Sequence, residues 1–496
     1  MQLPENLYTA EQSRQLDHLA INEFGLGDGV LMQRAGATAY TTLRHRWPRA
    51  RSITVICGPG NNGGDGYVLA TRARSEDLVV MVRCLGDLAR QQGDALAARE
   101  TYQMIGGEVE TFSGTLPPQQ DVIVDALFGT GLERPVEGQW ADAIKAMNDD
   151  KAPVLALDIP SGLHSDSGRL LGCAVVADAT TVFIGLKAGM FTADGPDYCG
   201  HIYYDDLGIP GAVSASVAPF ARRISQVKLK QCLPRRRRNT HKGQSGRVLV
   251  IGGGPGMPGA VRLAAEAALY TGAGLVTVAT HPDHARLISA ARPELIVYAI
   301  AAANELSGLM KSADVVALGP GLGQSEWAMQ LMAKALESPG LKVLDADALN
   351  LLALDASNSD EWILTPHPGE AATLLETNSA VIQQDRFASA DEIVKRYGGI
   401  CVLKGAGTII SDGESRLVCD GGNSALSTAG SGDLLTGAIA SFVAQGMTLK
   451  DAAATAVWVH ARAAEIVAPR GKRGWLASDF LPAMRVATHT LESQEA

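Results

Sequence analysis

The amino-acid sequence predicts an α/β protein with two three-layer αβα domains, each a mostly parallel sheet covered by helices on both faces. Short apolar runs rich in β-branched residues alternate with helix-length segments along most of the chain. Many of these runs end in glycine-rich or polar clusters, as strands beside a ligand crevice do. The chain has 496 residues, more than one ordinary core holds. The pattern weakens after Gly208-Ile-Pro-Gly211, so a boundary is predicted near residues 215–230, with domains at 1–222 and 223–496.

The composition and the N-terminal sequence predict a cytoplasmic soluble protein. Charged residues make up 19% and hydrophobic residues 46%, which is typical of globular proteins. The net charge of −10 argues against nucleic acid or an anionic membrane as the main partner. Seven scattered cysteines without CxxC spacing indicate neither a disulfide framework nor a zinc site. The N-terminus lacks the pattern of a signal peptide, and no apolar run is long enough to span a bilayer.

The first half opens with two helices and then a strand–loop–helix unit. Thr9-Ala-Glu-Gln12 has the pattern of a capping box, so a helix is predicted over 10–24 and a second over 31–46. The β-branched run 52–57 predicts a strand, and the glycine-rich stretch 58–66 predicts a loop, with the next helix beginning near Tyr67. This order is typical of the start of a βαβ unit.

Polar clusters follow three predicted strands of the first half. Further strands are predicted over 78–84, 122–127, 154–157 and 180–184. The clusters occupy 61–65, 125–135 and 158–162. Because parallel strands present their carboxyl ends at one edge of a sheet, these clusters are expected to form one site. The alternative is a set of loops that only hydrogen-bond to one another.

The second half begins with a strand at 247–251 and the stretch Gly254-Pro-Gly-Met-Pro-Gly259, which has GxGxxG spacing. A dinucleotide fingerprint would need an acidic residue closing the next strand, whereas 275–280 run into His281-Pro-Asp283. Close backbone packing and approach to another ligand are the alternatives. Arg235 to Arg238 form a basic run, which we interpret as a solvated domain edge.

Two later stretches have the features of a phosphate site. Lys404 ends a predicted strand and precedes Gly405-Ala-Gly-Thr408, which suits nucleotide phosphates, although a lone strand-end lysine can simply reach solvent. Gly430-Ser-Gly-Asp433 leads into an apolar run, and the N-terminus of such a helix favours an anion. Asp433 suits a helix cap, a base for a hydroxyl beside a phosphate, or both. No Walker A motif is present.

Taken in order, the motifs resemble two enzyme families that occur together. In the second half they are His241-Lys-Gly243, Val250-Ile-Gly-Gly253, Gly319-Pro-Gly-Leu-Gly323, Asp345-Ala-Asp-Ala-Leu349, Thr365-Pro-His-Pro-Gly-Glu370, Lys404-Gly-Ala-Gly-Thr408 and Gly430-Ser-Gly-Asp433. This set resembles the nucleotide-dependent NAD(P)H-hydrate dehydratases of the ribokinase-like superfamily. The first half resembles the NAD(P)H-hydrate epimerases through Met32-Gln-Arg-Ala-Gly36, Asn61-Asn-Gly-Gly-Asp65, Gly129-Thr-Gly-Leu-Glu-Arg-Pro135 and Asp158-Ile-Pro-Ser-Gly162. Together they resemble the bifunctional NAD(P)H-hydrate repair enzymes over nearly the whole chain.

The resemblance implies a Rossmann-like first domain, a ribokinase-like second domain and repair of hydrated NADH and NADPH (NADHX and NADPHX). The first domain would interconvert the R and S hydrates, and the second would dehydrate the S hydrate with ADP or ATP. Asp433 would deprotonate the ring hydroxyl while the N–H groups of 430–432 hold the transferred phosphoryl group. Asp158 would act in acid–base catalysis or fix the ring.

The resemblance also implies the remaining ligands. The nucleotide residues would be Lys404, Gly405, Ala406, Gly407, Thr408 and Gly432. The hydrate residues of the dehydratase would be Ala260, Gly323, His367 and Asp433, although His367 between two prolines also suits a rigid turn. The hydrate residues of the epimerase would be Asn61, Asn62, Gly63, Gly64, Asp65, Gly129, Thr130, Gly131, Leu132, Glu133, Arg134, Pro135 and Asp158. K⁺ would bind Asn62, Asp125 and Ser161, and Mg²⁺ would accompany the nucleotide near Asp345 and Asp347.

Two other functions compete with repair, and a homo-oligomer is expected in each case. One is a ribokinase-like small-molecule kinase with an appended dinucleotide-binding domain. The other is a regulatory or scaffold protein whose glycine-rich loops only bind. Intact Lys404 and Asp433 favour an enzyme over the scaffold, and a stable phosphorylated product would distinguish the kinase.

Overall fold

A computed structural model describes residues 3–27, 29–469 and 471–492. The chain forms two compact units, Met1–Arg222 and Arg223–Ala496. Each unit contains a parallel sheet with helices packed on it, so the predicted α/β fold class is confirmed. Within the described ranges, no helix combines the length and the apolar character needed to cross a bilayer.

The first unit is built on a 7-stranded sheet whose strands all run parallel. From one edge to the other the strands are Val109–Thr111, Val79–Cys84, Ser52–Cys57, Val122–Ala126, Val154–Leu157, Ala179–Phe183 and His201–Asp205. Chain order reverses between Ser52–Cys57 and Val122–Ala126. A crevice forms at such a point because the two connections leave on opposite faces of the sheet.

Helices cover both faces of this sheet because neighbouring strand residues are apolar on each side. Val55 belongs to one buried cluster and Ile56 to another. The helices are Ala10–Asn22, Val30–Arg46, Asn61–Ser75, Gly93–Met104, Gln139–Asp149, Gly195–Tyr198 and Gly211–Ser216, with 3₁₀ turns at Leu88–Arg90 and Ala188–Phe191. The predicted capping box is confirmed, since Thr9 Oγ1 accepts from Gln12 N at 3.2 Å and Gln12 Oε1 accepts from Thr9 N at 3.1 Å. Asn6–Tyr8 pairs separately with Leu186–Lys187 and Ala221–Arg223.

The stretch predicted as a loop before Tyr67 is the start of a helix, so that prediction is wrong. The helix begins at Asn61, six residues earlier. Its glycines let it approach neighbouring backbone closely: a Cβ on Gly63 would lie 2.0 Å from Gly58 O, and one on Gly64 would lie 2.5 Å from the Met32 side chain. Tertiary packing therefore overrides the weak helix propensity of glycine here.

The second unit is built on a longer sheet that is parallel apart from one edge. Its strands, in order, are Ile296–Ala299, Leu275–Thr280, Arg247–Ile251, Val315–Leu318, Lys342–Leu344, Trp362–Leu364, Ile400–Leu403, Thr408–Ser411 and Arg416–Cys419. The last two pair antiparallel with their neighbours. Chain order reverses between Arg247–Ile251 and Val315–Leu318, which again marks a ligand crevice.

The helix Ser431–Ala444 is the centre of the second unit. Its apolar residues lie in the main buried cluster with those of the helix Pro258–Tyr270. The two helices touch at Gly437, where a Cβ would lie 1.9 Å from Ala264 O. The other helices are Gln226–Cys232, Pro282–Ala291, Leu306–Ser312, Glu326–Glu337, Asp347–Leu354, Pro368–Leu374, Ser379–Gln384, Arg386–Tyr397, Leu449–Val467 and Ala477–Glu492, with 3₁₀ turns at Lys242–Gln244, Ala303–Glu305 and Ser424–Leu426.

Candidate active sites

A cavity of about 700 Å³ opens in the first unit at the point where strand order reverses. Its wall contains many of the residues predicted for the epimerase, namely Asn61, Asn62, Asp65, Gly129, Thr130, Gly131, Leu132, Glu133, Arg134 and Asp158. The predicted glycines Gly63 and Gly64 instead pack against backbone and Met32, as described above. The three strand-end clusters thus meet in one place, as expected for a parallel sheet.

Asn62, Asp125 and Ser161 form a buried oxygen-rich cluster beside this cavity. Ser161 Oγ donates to Asp125 Oδ1 at 2.6 Å, and Asn62 Nδ2 donates to Phe128 O at 2.9 Å. Burial raises the pKa of Asp125 to about 6 despite the opposing hydrogen bonds from Ser161. Asn62 Oδ1 is buried without a hydrogen-bond partner among the described residues. An oxygen left over in this way fits a hard cation such as K⁺.

Asp158 contributes a carboxylate to the cavity wall. It follows Val154–Leu157, and its φ of 65° lies in the left-handed region, which costs energy for a residue with a side chain. Its Oδ1 forms an ion pair with Lys187 Nζ, whose side chain is only 2% exposed. Strain and a buried charge pair at a cavity are features of functional sites.

In the second unit, Lys404 lies among carboxylates contributed by neighbouring strand ends. Lys404 Nζ is 2.8 Å from Asp345 Oδ1 and 3.6 Å from Glu370 Oε2. Thr436 Oγ1 donates to the other oxygen of Asp345 at 2.6 Å. Burial raises the pKa of Glu370, whereas Asp345 and Glu370 raise that of Lys404 against the effect of its burial. These groups therefore form a compact charged cluster.

Asp433 lies in the first turn of Ser431–Ala444, facing this cluster. Burial, reinforced by Asp345, raises the pKa of Asp433 to about 7, although Lys404 opposes the change. Asp433 does not cap the helix, so that part of the prediction is wrong: the N-cap is Gly430, at φ 87° and without a side-chain cap bond. The carboxyl is therefore available for proton transfer near neutral pH.

The nucleotide stretch predicted at 404–408 lies directly beside the helix start. A Cβ added to Gly432 would lie 3.2 Å from Lys404 Nζ, which shows how closely the lysine approaches the helix start. Gly405 has φ 145°, and a Cβ there would lie 2.7 Å from the Arg386 guanidinium. Thr408 Oγ1 donates to Gly405 O at 3.1 Å. Lys404 and Gly432 are thus brought together by two different elements.

The predicted hydrate residues of the second unit lie around the same strand ends. Gly323 N donates to Asp347 Oδ2 at 2.8 Å, and the Ala260 Cβ would lie 3.1 Å from a Cβ on Gly321. His367 is 55% exposed, and its Nδ1 accepts from Gly369 N and Glu370 N. The rigid-turn alternative for His367 is therefore observed, because this ring caps the helix Pro368–Leu374.

The GxGxxG stretch of the second unit is explained in part by packing. A Cβ on Gly254 would lie 2.4 Å from Leu322 O, whereas nothing lies within 4 Å of one on Gly256 or Gly259. The first glycine therefore lets two strand-end loops approach each other at the reversal of strand order.

The carboxylates of the second unit bear on whether it could bind a divalent metal. Across the described part of the chain, no group of three or more His, Cys, Asp or Glu side chains is arranged to hold a metal ion by itself. Both oxygens of Asp345 already accept hydrogen bonds. A divalent cation in this unit would consequently need phosphate oxygens from a nucleotide among its ligands.

Several residues at these sites escaped the sequence prediction. Asp17, Lys187 and Trp140 line the cavity of the first unit. Arg386 donates to Leu403 O and Lys404 O, and His460 contacts Ser431. The sequence contains a signal that Lys187 is unusual, because it is the single charged residue in an apolar run from 182 to 191. Asp17 and Arg386 had none, since charges on amphipathic helices usually face solvent.

Comparison with known proteins identifies the family of each unit. A family model described as NAD(P)H-hydrate dehydratase matches residues 248–483, and one described as YjeF-related protein N-terminus matches residues 28–189. The bifunctional NAD(P)H-hydrate repair enzyme Nnr of Coxiella burnetii is 45% identical over 97% of this chain and 99% of its own. This chain belongs to the family of bifunctional NAD(P)H-hydrate repair enzymes. The predicted family and its two activities, hydrate epimerisation and nucleotide-dependent dehydration, are thereby confirmed.

Other members and structures of this repair family are similar at greater distance. The Nnr enzyme of Escherichia coli K12 is 38% identical over 97% of this chain and 94% of its own. The ADP/ATP-dependent NAD(P)H-hydrate dehydratase of Bacillus subtilis, co-crystallised with ATP/Mg²⁺, is 29% identical, with a TM-score of 0.51. The matched region covers 54% of this chain and 98% of the Bacillus subtilis chain. Use of an adenine nucleotide by the second unit agrees with this similarity.

Proposed function

We propose that Asp433 is the base of the dehydratase and that the first turn of Ser431–Ala444 holds the transferred phosphoryl group. The observation that supports this most strongly is the position of the Asp433 carboxyl at a helix N-terminus, beside Lys404 and with a pKa near 7. Asp433 takes the proton of the ring hydroxyl, that oxygen attacks the terminal phosphorus of the nucleotide, and the bond from this phosphorus to the bridging oxygen breaks to release AMP from ADP or ADP from ATP. Phosphate then leaves with the former hydroxyl oxygen and the electron pair of the carbon–oxygen bond, and release of a proton from the neighbouring ring carbon to solvent restores the double bond.

The nucleotide and its metal are proposed to bind at the carboxylate–lysine cluster. Lys404 and the backbone of 405–408 and 432 contact the phosphates, and Ala260, Gly323 and His367 contact the hydrate. A relative's co-crystals with ATP/Mg²⁺ support Mg²⁺ as a companion of the nucleotide. Asp347 is the carboxylate proposed beside it, since Asp345 is held by Lys404 and Thr436. Mg²⁺ would neutralise phosphate charge.

For the epimerase we propose Asp158 as the acid–base residue and the cavity wall as the hydrate site. The wall residues of 61–65 and 129–135 would contact the hydrate. Asn62, Asp125 and Ser161 would hold K⁺, a proposal supported by the unpartnered Oδ1 of Asn62. The ion would add positive charge beside the cavity and tie three strand ends together.

One assay tests both activities. The protein is incubated with mixed NADPHX epimers, Mg²⁺, K⁺ and either ADP or ATP, and absorbance of the reduced nicotinamide is followed. Full recovery of the signal from both epimers is expected, and the faster nucleotide identifies the physiological donor. No recovery with either nucleotide would overturn the proposal, and a stable phosphorylated product would favour the kinase alternative.

The predicted homo-oligomer and cytoplasmic location stay proposals. An oligomer is supported by the edge strand Ile296–Ala299, where Ile296 and Tyr298 are 42% and 46% exposed. Exposed apolar side chains on an open sheet edge favour pairing with another surface. Sedimentation of the purified protein measures the assembly directly, and a monomer at micromolar concentration would contradict it.

A further inference from the structure

The cavity of the first unit contains more ionisable groups than one acid–base residue requires. Five carboxyl side chains line it together with the Lys187 ammonium, namely those of Asp17, Asp65, Asp94, Glu133 and Asp158. The roles inferred for Asp65 and Lys187 rest on the proposed epimerase role of Asp158.

Lys187 forms an ion pair with Asp158, one of the carboxyls of the cavity wall. Its side chain is 2% exposed, and its Nζ contacts Asp158 Oδ1 and donates to Phe183 O at 3.3 Å. No hydrogen bond from Nζ to Asp17 or Asp65 occurs in the described structure. A buried ammonium in contact with one carboxyl forms a charge-assisted hydrogen bond that fixes the position of that carboxyl.

The carboxyls of Asp65 and Asp17 differ from each other in their burial. Burial and the negative charges of Asp158 and Asp17 raise the pKa of Asp65 well above its ordinary value. Asp17 is more open to the cavity, and burial raises its pKa only to about 6. Burial in the cavity wall therefore favours the protonated form of Asp65. Environments that separate the pKa values of neighbouring carboxyls create one acid and one base.

We propose that Lys187 and Asp65 complete the proton-transfer set of the epimerase: Lys187 holds the base Asp158 in position, and the Asp65 carboxyl is the acid that protonates the ring nitrogen. Asp65 is thus a catalytic residue and Lys187 a positioning residue. Both lie in the wall that would surround the hydrate.

The chemistry of the hydrate requires such a pair. Protonation of a dihydronicotinamide at its enamine carbon leaves positive charge on the carbon next to nitrogen, so water adds there and creates the epimeric centre. Asp158 removes the hydroxyl proton, a carbonyl forms, and the carbon–nitrogen bond breaks with its electron pair passing to nitrogen, which Asp65 protonates. Rotation exposes the other face of the carbonyl. Nitrogen then re-forms the bond, its proton returns to Asp65, and the oxygen recovers its proton from Asp158.

Protons and electrons balance over one catalytic cycle. Each carboxyl returns to its starting state after one turnover, and no oxidant or second reactant is consumed. An ionised base and a protonated acid in the same cavity are sufficient for the reaction in both directions.

The test measures epimerisation without nucleotide, so that dehydration is absent. One purified NADPHX epimer is mixed with the full-length protein and K⁺, and early samples are separated by chromatography to correct for spontaneous epimerisation. Asp65→Asn is expected to lower kcat by about 100-fold, the usual effect of losing an acid or base, with KM for the hydrate changed by less than about threefold. Lys187→Met is expected to lower kcat at neutral pH by about tenfold or more.

The pH profile separates these roles from structural ones. The charged groups of the cavity wall are Arg14, Asp17, Asp65, Asp94, Glu133, Arg134, Asp158 and Lys187. Lys187→Met removes the cation that positions Asp158, so Lys187→Arg, which keeps a cation there, should retain more activity than Lys187→Met. The natural protein is expected to lose rate at alkaline pH as its acid ionises, and Asp65→Asn should lack this fall.

Matched controls and the Asp158 variant make the outcomes distinct. Lys145→Met and Asp142→Asn change exposed residues of the helix Gln139–Asp149 and should leave epimerisation unchanged. Normal epimerisation by Asp158→Asn would overturn the proposed function of this site. Loss of activity in Asp158→Asn with normal rates and pH profiles in the Lys187 and Asp65 variants would overturn this inference alone.

Discussion

The ammonium of Lys404 lies 2.8 Å from Asp345 Oδ1, and this pair connects the ends of two strands in the second unit. Asp345 is almost fully buried, and Lys404 is 18% exposed. Asp345 follows Lys342–Leu344, and Lys404 follows Ile400–Leu403. Burying one charge is costly unless the other is present, so the pair is expected to contribute to stability as well as to nucleotide binding.

Lys404→Met should therefore destabilise the protein and weaken nucleotide binding. The variant leaves Asp345 and Glu370 without their ammonium, and removal of one partner of a buried pair costs about 3–5 kcal/mol. Adding Asp345→Asn should recover part of the free energy of unfolding but none of the nucleotide affinity. Urea unfolding of the two variants checks the first effect, and titration with ADP and ATP checks the second.

The matched control is an exposed pair in the same unit. Lys395 lies 3.1 Å from Glu392, and both side chains are more than half exposed. Lys395→Met should change the free energy of unfolding by less than about 1 kcal/mol. An equal cost for Lys395→Met and Lys404→Met would contradict the role assigned to the buried pair.

The rate of dehydration should depend on pH through Asp433. Because the pKa of this carboxyl is raised to about 7, the base is protonated and inactive in acid and becomes active as pH rises through 7. Asp433→Asn should abolish dehydration and with it this acidic limb, while ADP binding stays within a few-fold. Steady-state rates between pH 5 and 9 measure the limb. A limb that persists in residual Asp433→Asn activity would assign it to another group.

The same carboxyl should make the free enzyme less stable at alkaline pH. Asp433 binds its proton more tightly in the folded than in the unfolded chain, so ionisation between pH 4 and 7 removes stability as pH rises. One pKa unit corresponds to about 1.4 kcal/mol, so Asp433→Asn should stabilise the protein by about 1 kcal/mol or more at pH 8 and by little at pH 4. Thermal melts at both pH values check the difference.

Much of both sites followed from the rule that ligands bind at the carboxyl ends of parallel strands. Asp125, Asp158 and Lys404 each end a recognisable apolar strand, so their positions could be predicted without tertiary information. Lys187 could not be placed, because its partner Asp158 is 29 residues away and only the fold joins them. The helix start at Asn61 was missed for a similar reason, since its glycines favour a helix only where they pack against Gly58 and Met32.

Epimerisation should depend on K⁺ through Asn62. Its Oδ1 is buried without a hydrogen-bond partner in the described structure, so a bound cation would supply the partner that this oxygen lacks. Asn62→Ala should reduce the stimulation of epimerisation by K⁺ by about tenfold or more, within the usual effect of losing a metal contact. Initial rates in K⁺ and in a tetraalkylammonium salt of equal ionic strength measure the stimulation. Asn61→Ala, which changes the exposed neighbour, should retain it.

His460 should affect the dehydratase through Ser431 without touching either substrate. Its Nε2 lies 3.0 Å from Ser431 Oγ, in the first turn of the helix proposed to bind phosphate. Burial lowers the pKa of His460 to about 4, so the ring is neutral over the working range of pH and holds the hydroxyl by one hydrogen bond. His460→Phe should raise KM for the nucleotide by about tenfold, because loss of one hydrogen bond costs about 1.4 kcal/mol and this energy corresponds to a factor of about ten. KM for the hydrate should not change. Ser431→Ala should add little to His460→Phe, because both remove the same contact, whereas the exposed His489→Gln should have no effect. Fully additive losses in the double variant would show that His460 acts on the site by some other route.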